Sequence, residues 1–261
     1  MKAVHRILDP AQIDAAAANR CALAVMTKAP RPGFVKTRLV PPLTHEQAAQ
    51  LNIRFLRDTA AAISEACGAG ARGVGVYSPA GAESEYDGVL PNDFQLLVQR
   101  GDGFGERLRN AAADLFHIGF SSVCLINSDS PTVSSDVYRV AVDLLGKKGD
   151  RVVLGPSGDG GYYLIGLKKV HQRLFEEIEW STDCVLEQTK ERANQLGLEI
   201  QLLPVFHDVD DPAGLNRLCH DLLDEKQAGA ETIASHTCEF LKTLFGRRGT
   251  GAMSSESLRR S

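Results

Sequence analysis

Short, wholly apolar runs alternate along the chain with longer stretches whose apolar positions recur every three or four residues. Residues 21–27 (Cys-Ala-Leu-Ala-Val-Met-Thr) form one such run and read as a buried strand. Segments 73–77, 94–99, 122–127, 151–155, 162–167 and 199–205 predict further strands, with 122–127 (Ser-Val-Cys-Leu-Ile-Asn) the clearest central one. Thr44 followed by Gln47 is a capping-box signature, and Ala48, Leu51, Phe55 and Thr59 continue it as a helix to about Cys67. The same spacing predicts helices over 105–117, 134–146, 181–196, 212–224 and 230–245. Strands alternating with helices imply an α/β domain with a mostly parallel central sheet covered on both faces. In such sheets ligands bind at the carboxyl ends of the strands, and the unusual residues of this chain cluster there.

The 261 residues suit one large domain better than two full ones. Hydrophobic content of 43% and charged content of 24% are ordinary for a globular protein. The formal net charge of −4 favours neither a nucleic-acid backbone nor an anionic membrane as partner. No apolar run reaches membrane-spanning length, and the N-terminus lacks a signal-peptide core. The six cysteines form no C-x-x-C pair, so thiols packed as small hydrophobes are expected. A cytoplasmic location follows as an expectation. Residues 1–20 read as an extension, 21–245 as a single α/β domain, and 246–261 as a disordered tail carrying Arg247, Arg248, Arg259 and Arg260.

Four strand-end constellations could carry chemistry. The loop after the first strand holds Lys28, Arg31, Lys36 and Arg38 around Pro30, Pro32 and Gly33. Clustered cations neutralise phosphates, although a run of charge is more often a solvated loop. It is not a Walker A loop, because Gly33 and Lys36 are not adjacent. Asp129, in Asn127-Ser-Asp-Ser-Pro131, can bind magnesium or cap a turn. In His207-Asp208-Val-Asp210-Asp211-Pro212, Asp211 suits a helix start, and either Asp208 or Asp210 could supply a second metal ligand. In 155–163, Asp159 is a candidate general base or metal neighbour, or the tip of a tight Asp-Gly turn. Weaker alone, Gln99 to Arg107 offers backbone donors at a helix start, suited to a nucleotide's base or phosphate. Neither H-E-x-x-H nor G-x-S-x-G occurs, which removes support for zinc proteolysis and elbow-type hydrolysis. Trp180, the only tryptophan, suits a core or pocket-wall position.

Taken in order, K-A-P-R-P-G-x-V-K-T-R-L (28–39), Gly101 to Leu108, S-D-S-P (128–131), G-P-x-x-D-G-G-Y-Y-L-I-G (155–166), W-S-T (180–182) and D-V-D-x-P (208–212) resemble a bacterial glycosyltransferase-like family. That family is related to phospholactate guanylyltransferase and molybdenum-cofactor guanylyltransferase. The similarity spans about residues 21–225. It implies a GT-A-like, Rossmann-like three-layer sandwich, the nucleotide-diphospho-sugar transferase fold. By analogy the 28–38 loop, with Lys28, Arg31, Gly33, Lys36 and Arg38, would hold donor phosphates. Gln99, Gly103 and Gly105 would face the base, and Gly160, Gly161 and Tyr162 would lie on the acceptor side. Asp129 and Asp210 would bind Mg2+ or Mn2+, with Lys36 and Asp159 as the catalytic candidates. The expected partners are a nucleotide sugar or nucleoside triphosphate and a small acceptor. The S-D-S motif departs from the D-x-D of many glycosyltransferases, and guanylyltransferase relatives also use a single aspartate there. The family's character as glycosyltransferase-like puts sugar transfer first, nucleotidylyl transfer with pyrophosphate release second, and non-catalytic nucleotide binding third.

Overall fold

The computed structural model describes residues 4–68, 70–223 and 233–246. Eight strands, β1 (Arg6–Ile7), β2 (Cys21–Lys28), β3 (Ala71–Ser78), β4 (Gln95–Val98), β5 (Ser122–Ile126), β6 (Arg151–Pro156), β7 (Tyr162–Leu167) and β8 (Glu199–Leu202), form one sheet. Their order is β1-β4-β3-β2-β5-β7-β6-β8, and only β7 runs antiparallel to its neighbours. The described helices are α1 (His45–Ala66), α2 (Phe104–Ile118), α3 (Ser135–Gly146), α4 (Val185–Gln195), α5 (Pro212–Leu223) and α6 (Ser235–Phe245).

The central strands are buried on both faces, which explains their unbroken apolar runs. One face carries Leu56, Ala60 and Ile63 of α1 with Val137, Tyr138 and Ala141 of α3. The other carries Leu108, Ala112 and Leu115 of α2 with Ala193 of α4. A third, smaller core gathers Leu39, Leu51, Phe55, Val209, Leu218 and Leu241. It joins the start of α1 to α5 and α6, beside the carboxyl end of the sheet. Asp58 of α1, 1% exposed, ties α6 down. Its carboxylate accepts from the backbone amides of His236 (3.0 Å) and Thr237 (2.8 Å) and from the Thr237 hydroxyl (2.6 Å). These bonds satisfy otherwise orphaned donors at a helix N-terminus.

The capping box at Thr44 and Gln47 forms as expected, with both of its hydrogen bonds present. Three segments differ from the sequence expectation. Residues 6–7 pair with Gln95 and Leu96, so the N-terminal segment supplies an edge strand and buries Leu8 and Ala17 in the core. The helix expected from 181 starts only at Val185, because Ser181 has a positive φ of 67° and the preceding loop is held across the sheet end. The strand expected over 199–205 stops at Leu202, ahead of Pro204, which has no amide to donate. The basic residues 247, 248, 259 and 260 lie outside the described residues.

β2 is the point from which the chain departs in two directions, to β3 on one side and β5 on the other. Such a switch point opens a crevice at the carboxyl ends of the two strands. The loops after β2 and β5 leave into it.

Candidate active site

The loop after β2 leaves the sheet with the Ala29 amide bonded to the Ser78 carbonyl at 2.8 Å. Seven residues later Lys36 adopts a left-handed backbone conformation (φ 49°, ψ 35°). That conformation costs an L-residue roughly 1–2 kcal/mol. Its side chain turns inward, is only 4% exposed, and ends among three oxygens. Nζ lies 2.7 Å from Asp129 Oδ1, 2.8 Å from Asp210 Oδ1 and 2.8 Å from the Val209 carbonyl. The Phe55 ring of the third core lies 5.4 Å from the ammonium. Burial alone would push the Lys36 pKa down, but the charges of Asp129 and then Asp210 outweigh it and hold the ammonium above the usual lysine value.

Three loops meet here. The Val209 amide donates to the Asp129 carbonyl at 3.0 Å, and the Val209 carbonyl accepts from Lys36. Asp129 is set by a turn in which its own amide donates to Asn127 Oδ1 at 3.3 Å, and the Ser128 hydroxyl donates to its carboxylate at 3.3 Å. Its side chain is 30% exposed and that of Asp210 is 49% exposed, so the cation is buried while both carboxylates reach solvent. Asp211 accepts from the Gly214 amide at 2.8 Å and starts α5, the structural role its position before Pro212 suggests.

Asp208 is half-buried and accepts from the Ser157 hydroxyl at 3.0 Å. Burial, then the negative charges of Asp159 and Asp210, push its pKa up to about 6. Asp159 sits on the turn between β6 and β7, where its carboxylate accepts from the Gly161 amide at 2.9 Å. Gly160 has a φ of 90°, and a Cβ there would lie 2.1 Å from the Asp183 carbonyl oxygen. The chain can therefore pass there only as glycine. Asp129 and Asp210 thus flank Lys36, while Asp208 bonds Ser157 and feels the charges of Asp159 and Asp210.

The remaining sequence candidates spread outward. Lys28 and Arg38 are exposed on the same loop as Lys36, and Gly33 is exposed with a φ of 80°. Arg31 is exposed on the same loop and pairs with Glu85, to which its Nε donates at 2.9 and 3.1 Å. Gln99 donates its amide to the carbonyls of Thr27 (2.9 Å) and Val76 (2.8 Å), stapling the ends of β2 and β3. Gly103 is the exposed N-cap of α2. Gly105 lies under Trp180, whose indole leaves only 2.4 Å for a Cβ, and Phe104 meets the same indole edge-on at 5.3 Å between centroids. Trp180 therefore lines the sheet end. Tyr162 opens β7 and packs with the core on the α2 face; burial raises the pKa of its phenol, outweighing the opposing effect of the Thr189 hydroxyl beside it. Gly161 adjoins the Asp159 carboxylate.

Whether the site suits a divalent metal can be judged from its donors. No three His, Cys, Asp or Glu side chains converge as a metal centre among the described residues. Two hard carboxylate oxygens do converge on one point, which an ammonium now fills as a stand-in cation. Magnesium is commonly held by one or two carboxylates with substrate phosphates completing its shell, so the donor set fits.

Residues 63–182 match the model of a family described as an uncharacterized protein conserved in bacteria (DUF2064). A solved structure from Desulfovibrio desulfuricans G20, provisionally assigned as a nucleotide-diphospho-sugar transferase, is 26% identical and superposes with a TM-score of 0.73. The likeness covers 87% of this chain and 98% of that one. The structure of 4-diphosphocytidyl-2C-methyl-D-erythritol synthase is 11% identical with a TM-score of 0.50, over 77% of this chain and 96% of that one, and bears on the fold alone. No curated protein matches the chain by sequence. The fold is thus the GT-A-like, Rossmann-like fold of the nucleotide-diphospho-sugar transferase superfamily. No described helix is long and apolar enough to cross a membrane.

Proposed function

We propose that the chain is a transferase that moves a group from a nucleotide-phosphate donor to a small acceptor, with glycosyl transfer from a nucleotide sugar as the first choice. One observation carries this: at the switch point of a parallel sheet, Lys36 clamps two solvent-reaching aspartates from separate loops. Switch-point crevices of this kind bind ligands, and the D. desulfuricans likeness supports the donor class.

In this account the exposed Lys28 and Arg38 neutralise the donor's phosphates at the mouth of the crevice. The N-terminus of α2, with Gly103 uncapped by any side chain, presents backbone donors, and Gly105 lets the Trp180 indole form the adjoining wall. Asp129 and Asp210 would hold Mg2+ or Mn2+, which would neutralise charge building on the leaving diphosphate. Asp159, on the solvent-facing turn, takes the acceptor's proton. Transfer then needs no covalent protein intermediate, because fixed charge stabilises the developing charge.

Nucleotidylyl transfer is the second reading. The exposed cations of the first loop favour it, since attack at the α-phosphorus leaves more negative charge there. Incubation of nucleotide sugars and nucleoside triphosphates with a panel of small hydroxyl- and phosphate-bearing acceptors, scored for nucleoside diphosphate against pyrophosphate, tests both. Release of neither product, with any donor and with or without Mn2+, would sink the transferase assignment.

A further inference from the structure

The ammonium of Lys36 stands where a divalent ion would have to stand to reach Asp129 Oδ1 and Asp210 Oδ1 together. Its three oxygen partners, at 2.7, 2.8 and 2.8 Å, come from two carboxylates and a backbone carbonyl, a hard-cation set. The position is closed off on one side by the Phe55 ring of the third core, yet both carboxylates reach solvent. Lys36 is also the only non-glycine residue of its loop with a positive φ, so an unfavoured backbone conformation delivers the side chain there. A solvated phosphate-binding lysine needs neither the burial nor that conformation.

We infer that Lys36 is a resident countercation that holds Asp129 and Asp210 in register while the donor is absent, and that a divalent ion is its competitor for the same oxygens. Two cations cannot share the position, because their repulsion at that separation is large in a partly desolvated site. The Lys36 ammonium would therefore leave the aspartate cage when Asp129 and Asp210 took up a divalent ion. The freed side chain, on the loop that carries Lys28 and Arg38, becomes a further phosphate-neutralising group. Lys36 is a positioning residue in the empty site and a donor-binding one afterwards. This inference rests on the donor-site proposal for where the freed ammonium goes; metal exchange itself is tested apart from turnover.

The test titrates Mn2+ alone, without nucleotide, and reads the free ion by electron paramagnetic resonance. Lys36→Met should bind Mn2+ at least tenfold more tightly than the wild type, and adding Asp129→Asn should abolish that gain. Affinity in Lys36→Met equal to or weaker than wild type overturns the inference, as does a gain that survives Asp129→Asn. Because Lys36→Met removes an internal ion pair, a second readout uses the wild type. Amine acetylation followed by mass spectrometry should find Lys36 protected in the free protein and reactive at saturating Mn2+. Continued protection with Mn2+ bound overturns the exchange. Nucleotide-induced melting shifts of the metal-free wild type read the donor site separately, and they persist if only the exchange is wrong.

Discussion

The burial asymmetry around Lys36 makes an unequal prediction for its two sides. Lys36 is 4% exposed, whereas Asp129 and Asp210 are 30% and 49% exposed. Removing both negative charges with Asp129→Asn/Asp210→Asn leaves an ammonium buried on the Phe55 ring with only neutral acceptors. Stripping a buried ion of its partner costs on the order of 3–5 kcal/mol. Asp129→Asn alone keeps Asp210 and should cost roughly 1.5–3 kcal/mol, the range for a hydrogen bond to a charged group. Lys36→Met keeps the apolar stem on Phe55 and leaves two carboxylates that water can reach. The cost should be about 1 kcal/mol, as for partly exposed pairs. Urea unfolding at pH 7 measures all three. The expected order is double variant, then Asp129→Asn, then Lys36→Met, at an unchanged slope against urea. Lys36→Met losing as much as the double variant would refute the reasoning. There is a pH signature as well. The folded pKa of Lys36 lies above the unfolded value, so the pair's contribution is complete below the ordinary lysine value of 10.5 and is lost as pH rises through the folded value. Stability measured between pH 9 and pH 12 should fall for the wild type and lack that component in Lys36→Met.

Gly105→Ala forces a Cβ to within 2.4 Å of the Trp180 indole, so the indole must move into solvent. Because Trp180 is the only tryptophan, the emission spectrum should shift to the red with little change in helical circular dichroism; an unshifted spectrum contradicts the contact. The pKa of Asp208 is raised to about 6, above the ordinary 3.8, so folding favours its protonated form; that contribution is complete below pH 3.8 and lost as pH rises through 6. Asp208→Asn should therefore match wild-type stability near pH 4 and exceed it at pH 8 by roughly 1 kcal/mol after solvent screening. A melting temperature no higher than wild type at pH 8 would count against it. Asp58→Ala removes three hydrogen bonds at the start of α6 and should cost about 2–4 kcal/mol by thermal unfolding, while a loss below about 0.5 kcal/mol would show that α6 is held otherwise.

Local signals survived the passage from sequence to structure. The apolar runs of β2 and β5 are buried strands, and the Thr44–Gln47 capping box is present because both partners lie within one helical turn. Asp211 before Pro212 starts α5 for an equally local reason. Contacts made over long separations were not legible. A two-residue edge strand at Arg6–Ile7 has too little pattern to read and exists only because β4 offers it an edge. Lys36 looks like one more solvated cation in a basic loop. Its burial depends on residues 93 and 174 positions away, brought together at the sheet's switch point. Arg31 carries the same charge five residues before Lys36 on the same loop, yet it pairs with Glu85 from the segment after β3. Gln99 shares this character: its amide bonds two strand-end carbonyls, a use that its neighbours in sequence do not announce. Even so, the short list drawn from strand ends contained Lys36, Asp129, Asp208 and Asp210 together.

The most direct test of the account is a melting-temperature panel of nucleotide sugars and nucleoside triphosphates, with and without Mn2+, on wild type and Asp129→Asn. A ligand at a hundred times its dissociation constant adds about 2.7 kcal/mol. For a domain of this size that is a rise of roughly 5–10 °C, at about 2–4 °C per kcal/mol. The account predicts such a rise in the wild type with one nucleotide class, enhanced by Mn2+, and no Mn2+ enhancement in Asp129→Asn. A panel with no shift, or with the same metal-enhanced shift in Asp129→Asn, would contradict it.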